Sequence, residues 1–70
     1  MTKQTLYGQL ALIYSGQLLP LQILSSNAGY FIGTADNEGP VSRESVEYFA
    51  SRDQACRAFA RGQWQQRDHP

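Results

Sequence analysis

One thiol, one imidazole and several hydroxyls are the side chains through which this sequence could attempt nucleophilic catalysis. Such catalysis needs a Ser or Cys beside a general base that a third group orients. His69, the single histidine, is the penultimate residue, where we expect a frayed tail. Cys56, the single cysteine, lies among alanines in a predicted helix, which is typical of a packing residue. The sequence therefore predicts no catalytic residue, and we expect that the protein is not an enzyme.

The acidic side chains give no metal site. The stretch DNEG, residues 36–39, resembles the start of a calcium loop but lacks the alternating oxygen ligands and the distal Glu. Asp and Asn in a tight turn are explained by local hydrogen bonds. One Cys and one His cannot supply the four ligands of structural zinc, and neither standard glycine-rich phosphate loop is present. We predict no metal and no cofactor.

Arginines near the C-terminal end are candidates for recognition. Arg57 and Arg61 share one side of the predicted helix, and Trp64 follows it. Arginine beside an aromatic ring can hold phosphate or stack a base, so weak nucleic-acid binding is one hypothesis. Against it, six Lys and Arg balance six Asp and Glu, unlike the basic surplus of dedicated nucleic-acid binders. Arg and Trp also anchor protein interfaces, and we assign these three residues to a predicted interaction surface.

The stretch SRES, residues 42–45, is polar on both sides of an extended chain. Ser42 and Glu44 would lie on one side, and Arg43 and Ser45 on the other. A strand of this kind lies on an exposed edge or projects beyond the core. The pattern favours either the wet end of a hairpin or a recognition edge. We add Arg43 and Glu44 to the predicted interaction surface.

Turn residues and periodicity place the elements that must carry these side chains. Ser51 and Gln54 form a capping box, which is a helix start signal, and Gly62 is a helix end signal. Together they predict a helix over residues 52–61. Its expected apolar face is Ala55, Cys56, Ala58, Phe59 and Ala60. Apolar runs between turn signals predict strands over residues 18–25, 30–35 and 41–49, and residues 65–70 are a predicted frayed tail.

The first segment is less determined by its pattern. Residues 5–14 alternate as a strand does, although the spacing of Leu6, Leu10 and Ile13 also fits a helix. Gly8 disfavours a helix, so we predict a strand and leave the helix open. Gly33, in the middle of the third predicted strand, would need an aromatic ring over it, from Tyr48 or Trp64.

These elements predict a small α+β domain spanning residues 1–70. Its architecture is an antiparallel meander of three to four strands with one C-terminal helix packed on a face. A domain of 70 residues has a small core, and one cysteine excludes an internal disulfide. We therefore expect a homodimer or a complex with another protein. No stretch has the length of a membrane span, so we expect no membrane contact. The single unpaired thiol favours a cytoplasmic location.

Residues 30–67, which include GPVSRES, Tyr48-Phe49 and GQWQQR, resemble short uncharacterised proteins carried on bacterial plasmids and integrative elements. The resemblance covers about half of the chain and implies a genomic setting without a mechanism. With it, the sequence predicts a small non-enzymatic interaction module that serves as an accessory protein of a bacterial mobile element.

Overall fold

Turn glycines and local capping signals account for most of the architecture. The computed structural model describes residues 6–69, which form five elements. In chain order these are α1 (Gln9–Ser15), β1 (Gln22–Ser26), β2 (Gly29–Asp36), β3 (Gly39–Arg43) and α2 (Arg52–Arg61). The predicted α+β class is confirmed, with a three-stranded antiparallel sheet and a C-terminal helix.

The sheet is a meander in the order β1-β2-β3. Each of its two hairpins has a two-residue turn, and the strand after the turn begins at a glycine. These glycines are Gly29, with φ 130°, and Gly39, with φ 127°. Other residues are strained at these angles, so the glycines set where β2 and β3 begin. In the second turn the Asp36 carboxylate accepts a hydrogen bond of 2.8 Å from the Glu38 amide. This local bond is the role that the sequence predicts for the acidic turn.

Strand β2 lies at the centre of the core. Its residues 31–34 are all buried, which requires cover on both faces of the strand. Helix α2 contacts β1 and β2, while α1 contacts β3. The buried apolar side chains of the described residues are Leu10, Ala11, Phe31, Ile32, Ala55 and Ala58.

The ring beside Gly33 is Phe31, so the prediction of Tyr48 or Trp64 at this position was wrong. A Cβ atom at Gly33 would meet both the Phe31 ring and the carbonyl oxygen of Ser42. Tyr48 lies one layer further out and packs edge-on against Phe31, with ring centroids 5.9 Å apart. The close approach of Ser42 therefore explains the glycine as much as the ring does.

Helix α2 begins and ends where the sequence predicts. The Ser51 hydroxyl accepts a hydrogen bond of 3.1 Å from the Gln54 amide. The Gln54 side chain accepts one of 3.2 Å from the Ala50 amide, one residue before the amide that a standard capping box uses. Gly62, with φ 66°, is in the left-handed conformation that ends the helix.

The predicted apolar face of α2 is only partly correct. Ala55 and Ala58 are buried, and Phe59 is half-buried. Cys56 and Ala60 are exposed, because at 100° per residue they lie well around the helix from Ala55. The packing role predicted for Cys56 was therefore wrong.

Three of the predicted strands need correction. The strand predicted over residues 18–25 begins only at Gln22, in β1. Residues 9–14 of the first predicted strand are helical, in α1, and only Tyr7 keeps a bridge of the predicted kind, to Pro20. The strand predicted over residues 41–49 stops at Arg43. The amides of Glu44 and Ser45 both donate to the Ile32 carbonyl of β2, and a separate bridge to β2 forms where Phe49 pairs with Tyr30. Residue 5 of the first predicted strand and residue 70 of the predicted tail lie outside the described residues.

Candidate functional site

A buried carboxylate caps helix α1 from a distant part of the chain. Glu44 has no exposed surface, and its two oxygens accept hydrogen bonds from the amides of Leu10, at 2.9 Å, and Ala11, at 3.1 Å. Amides in the first turn of a helix have no partner inside the helix. The residue at the N-cap position, Gly8, has no side chain to supply one. Glu44 therefore does what an N-cap side chain usually does, from 34 residues further along the chain.

The same carboxylate joins three other parts of the fold. Its Oε1 also accepts a hydrogen bond of 2.7 Å from the Gln66 side-chain amide, and its Oε2 accepts one of 2.6 Å from the Ser42 hydroxyl. The hydroxyls of Ser42 and Thr34 lie 2.6 Å apart. We call Glu44, Ser42, Thr34 and Gln66 the Glu44 network. It ties α1 to β2, β3 and the C-terminal segment.

Opposing effects set the ionisation of this carboxyl group. Burial raises the pKa of Glu44. Hydrogen bonds from the Leu10 amide, the Ser42 hydroxyl, the Gln66 side chain and the Ala11 amide lower the pKa. The hydrogen bonds prevail, and the pKa lies below its ordinary value of 4.5. Glu44 is therefore a buried carboxylate that is charged at neutral pH and satisfied by four donors.

Residues 42–45 are thus not the exposed edge that their polarity predicts. Glu44 and Ser45 are fully buried. The Ser45 hydroxyl accepts from the Ile32 amide at 3.1 Å and donates to the Glu47 carbonyl at 2.9 Å. Glu44 cannot belong to an interaction surface in this arrangement, because its side chain has no exposed surface. The assignment of Glu44 to that surface was wrong.

Glycine at position 8 gives the network its room. Gly8 is buried, and a Cβ atom there would meet the Thr34 methyl group and come within 2.8 Å of a Glu44 carboxylate oxygen. The feature that disfavours a helix locally is therefore what lets the helix start against the sheet.

The C-terminal segment completes the far side of the network. Ser45 and Gln66 form an antiparallel bridge, in which the Val46 amide donates to the Gln65 carbonyl and the Arg67 amide donates to the Glu44 carbonyl, each at 2.8 Å. The predicted frayed tail is therefore wrong for residues 65–67.

Arg43 is held by its own loop. Its guanidinium donates to the carbonyls of Ser45, at 3.0 Å, and Val46, at 2.9 Å, and lies 4.4 Å from the centre of the Tyr48 ring. A half-buried arginine with these contacts folds the loop after β3. Because these contacts occupy its guanidinium, Arg43 is less available to a partner than an arginine on an exposed strand edge would be.

The other three predicted surface residues lie on and after α2. Arg57 and Arg61 are exposed, one helical turn apart, and Trp64 is half-buried beyond the helix end. These positions are compatible with the predicted arginine face. Arg43, the last residue of β3, and Glu44, which follows it, lie instead in the packed region at the end of that strand.

An apolar surface that the sequence analysis missed surrounds α1. Residues 6–21, which we call the α1 lobe, are closed at their base by hydrogen bonds from Gly8 to the Leu19 carbonyl and from Leu21 to the Leu6 carbonyl. Leu10 of this lobe is buried, but six of its other large apolar side chains are between 46% and 62% exposed. These side chains are Leu6, Tyr7, Leu12, Ile13, Tyr14 and Leu18.

A sequence signal for this surface was present. Residues 4–35 contain no Asp, Glu, Lys or Arg, although such residues make up 17% of the chain. A charge-free run of this length, rich in Leu and Tyr, does not suit a solvated surface. The assignment of residues 5–14 to a half-buried strand hid it, because a strand would have placed half of these side chains in the core.

Within residues 6–69 the structure shows no pocket, no group of three or more His, Cys, Asp or Glu side chains arranged to hold a metal ion, and no helix long and apolar enough to span a membrane. Comparison of the chain with protein-family models, curated proteins and solved structures gave no match.

Proposed function

We propose that this chain is a small, non-enzymatic protein-interaction module that docks through the α1 lobe. The observation that carries the proposal is the exposure of Leu12, Ile13 and Tyr14, three consecutive apolar residues of α1, together with Leu18 just beyond it. A partner that covers these side chains would remove apolar area from water, which is the main driving force of association.

The pattern around α1 supports this reading. Five of its seven residues, QLALIYS, are apolar. Only Leu10 and Ala11 are buried, while Leu12 and Ile13 lie on other sides of the helix, because successive residues are 100° apart. Helices that are apolar all round are buried structures, whereas surface helices keep a polar face. Helix α1 therefore has the composition of a helix that is buried on both sides, although the rest of the domain buries only the side with Leu10 and Ala11.

The extent of the surface also supports docking. A half-exposed large side chain presents roughly 100 Å². The six exposed side chains of the α1 lobe then present on the order of 600 Å² of mostly apolar surface in total, distributed around the lobe because Leu12, Ile13 and Tyr14 point in successive directions from α1. Single exposed leucines are ordinary, but six of the eight exposed large apolar side chains of the described residues lie in this 16-residue lobe, and such a concentration is typical of an interaction site.

The Glu44 network has a supporting role in this proposal. Helix α1 has seven residues, too few to be stable by itself. Glu44 fixes its first turn on the sheet and so holds Leu12 and Ile13 outward. The resemblance of residues 30–67 to plasmid-borne proteins supports an accessory role on a bacterial mobile element, which stays a prediction.

Site-specific crosslinking tests the docking surface. A photoreactive phenylalanine analogue replaces Ile13 in one variant and Arg57 in another, and both are irradiated in producing cells. We expect protein adducts, with another chain or a second copy, from position 13 and few from position 57. Equal yields from the two positions, or none from position 13, would contradict the proposal.

Weak nucleic-acid binding through Arg57, Arg61 and Trp64 is the second candidate. Exposure of both arginines and partial exposure of Trp64 favour it. It requires quenching of Trp64 fluorescence by single-stranded DNA or RNA, weakened steeply by salt and lost in the double variant R57Q/R61Q. Absence of quenching at low salt would dispose of it.

A further inference from the structure

We infer that the occupant of the α1 lobe is a second copy of this chain, in a two-fold symmetric dimer. This inference rests on the proposed function, because it names the partner of the same surface. A two-fold interface is self-complementary, so the same patch must suit both copies. An apolar surface meets that condition directly.

Charge favours the second copy. The α1 lobe lies within the run of residues 4–35 that has no charged side chain, so two lobes have no formal charges to repel one another. The chain as a whole has equal numbers of basic and acidic residues, which removes the general repulsion between copies. A partner selected by opposite charge would need charges on this surface, and the lobe has none.

The available area also suits a dimer. Two lobes, each presenting on the order of 600 Å² in total, would bury at most about 1,200 Å² together, which is the lower limit of stable protein interfaces. Polar residues of the lobe, Gln9, Ser15 and Gln17, provide hydrogen-bonding groups for such an interface.

Two other occupants fit less well. Residues 1–5 of the chain, MTKQT, contain one large apolar side chain, which is too little to cover six. A membrane surface attracts helices that carry Lys or Arg on the polar face, and α1 has neither.

The small core is a reason to expect that dimerisation would stabilise the domain. Six apolar side chains are buried among the described residues, and α1 contributes two of them, Leu10 and Ala11. Domains of this size often gain stability from association. Covering the outer side of α1 with the α1 of another copy would turn its exposed residues into core.

Sedimentation equilibrium of the purified chain between about 1 and 500 μM tests the inference. We expect the mass to rise from the 7.9 kDa of one chain toward twice that value. Ile13→Asp should weaken association by about a hundredfold or more, because it places a charge in a dry interface. Arg57→Asp, on α2, is the matched control and should associate as the wild type does.

Folding of the variants is checked by circular dichroism. Ile13 is 60% exposed, so Ile13→Asp should keep the wild-type spectrum, and Leu18→Asp, outside the helix and 62% exposed, is a second disrupting variant. A wild type that is monomeric throughout, or a dimer that both Asp variants leave intact, would overturn the inference. If crosslinks from position 13 then identify another protein, the docking surface stands and only the second copy is refuted. If position 13 gives no protein adducts, the proposed function fails as well.

Discussion

Replacement of Glu44 by Gln tests whether one buried carboxylate holds the α1 lobe on the sheet. The substitution keeps size and shape but replaces one oxygen by an amide nitrogen, which cannot accept a hydrogen bond. Each oxygen of Glu44 serves one α1 amide, so either orientation of Gln leaves the Leu10 or the Ala11 amide without an acceptor. The Ser42 hydroxyl can rotate to adapt, but a backbone amide cannot.

The expected loss can be assembled from these contacts. One buried donor left without a partner costs about 1–3 kcal/mol, and the remaining bonds to Glu44 lose the strength that its charge gives them, about 1 kcal/mol more. We therefore expect Glu44→Gln to lower the free energy of unfolding by about 2–4 kcal/mol. A domain of this length has a total of roughly 4–10 kcal/mol, so the variant should fold with a much earlier urea midpoint.

Glu47→Gln is the matched control. The Glu47 carboxylate accepts one exposed backbone donor, the Gln65 amide, at 3.1 and 3.2 Å from its two oxygens. Its replacement should cost less than about 1 kcal/mol. Both variants are compared with the wild type by urea unfolding at one protein concentration, because association would add to stability. A Glu44→Gln variant within about 0.5 kcal/mol of the control would refute the reasoning.

The pH dependence of the free energy of unfolding is a second test with the same variant, Glu44→Gln. The pKa of Glu44 is lower in the folded protein than its ordinary value of 4.5. The charged form therefore adds stability that is complete above pH 4.5 and is lost as the pH falls through the lower folded pKa. The difference between wild type and Glu44→Gln should be constant from neutral pH to about 5 and shrink below that. A difference that does not shrink under acid would mean that the charge is not its source.

Three further outcomes follow from other contacts. Gly8→Ala should lower the free energy of urea unfolding more than Gly16→Ala does. A methyl group at position 8 meets the Glu44 carboxylate, whereas position 16 is open and has only the strain of a φ of 65°. Equal losses for the two variants would contradict the crowding at position 8. Ser51→Ala should cost about 1 kcal/mol through loss of the α2 cap, and a cost near zero would show that the cap is redundant. Cys56 should react with a thiol reagent in the native protein at a rate close to that in urea, because its side chain is exposed, and strong native protection would contradict that placement.

The parts of the fold that local chemistry determines were predictable from sequence. Helix α2 carries its own cap at Ser51 and its own stop at Gly62, so its bounds agree with the structure. The two hairpins have turn residues between apolar runs, and β2 extends only one residue beyond each end of the strand predicted over residues 30–35.

Helix α1 and the candidate surface were not predictable in the same way. The cap of α1 comes from Glu44, 34 residues away, and no local pattern near Gly8 announces it. Glu44 appeared solvated because the donors that satisfy it belong to α1, β3 and the C-terminal segment. Among the predicted surface residues, Arg57 and Arg61 are exposed as expected, whereas the apolar face around Ile13 required knowledge that α1 is a helix.

Hydrogen exchange of the backbone amides at two protein concentrations tests the central claim most directly. The claim is that the outward side of α1 is a contact surface between copies of the chain. We expect the amides of residues 11–16 to exchange more slowly at about 500 μM than at about 5 μM, with those of residues 55–61 in α2 changing less. Exchange in α1 that is independent of concentration, or slowing confined to α2, would contradict it.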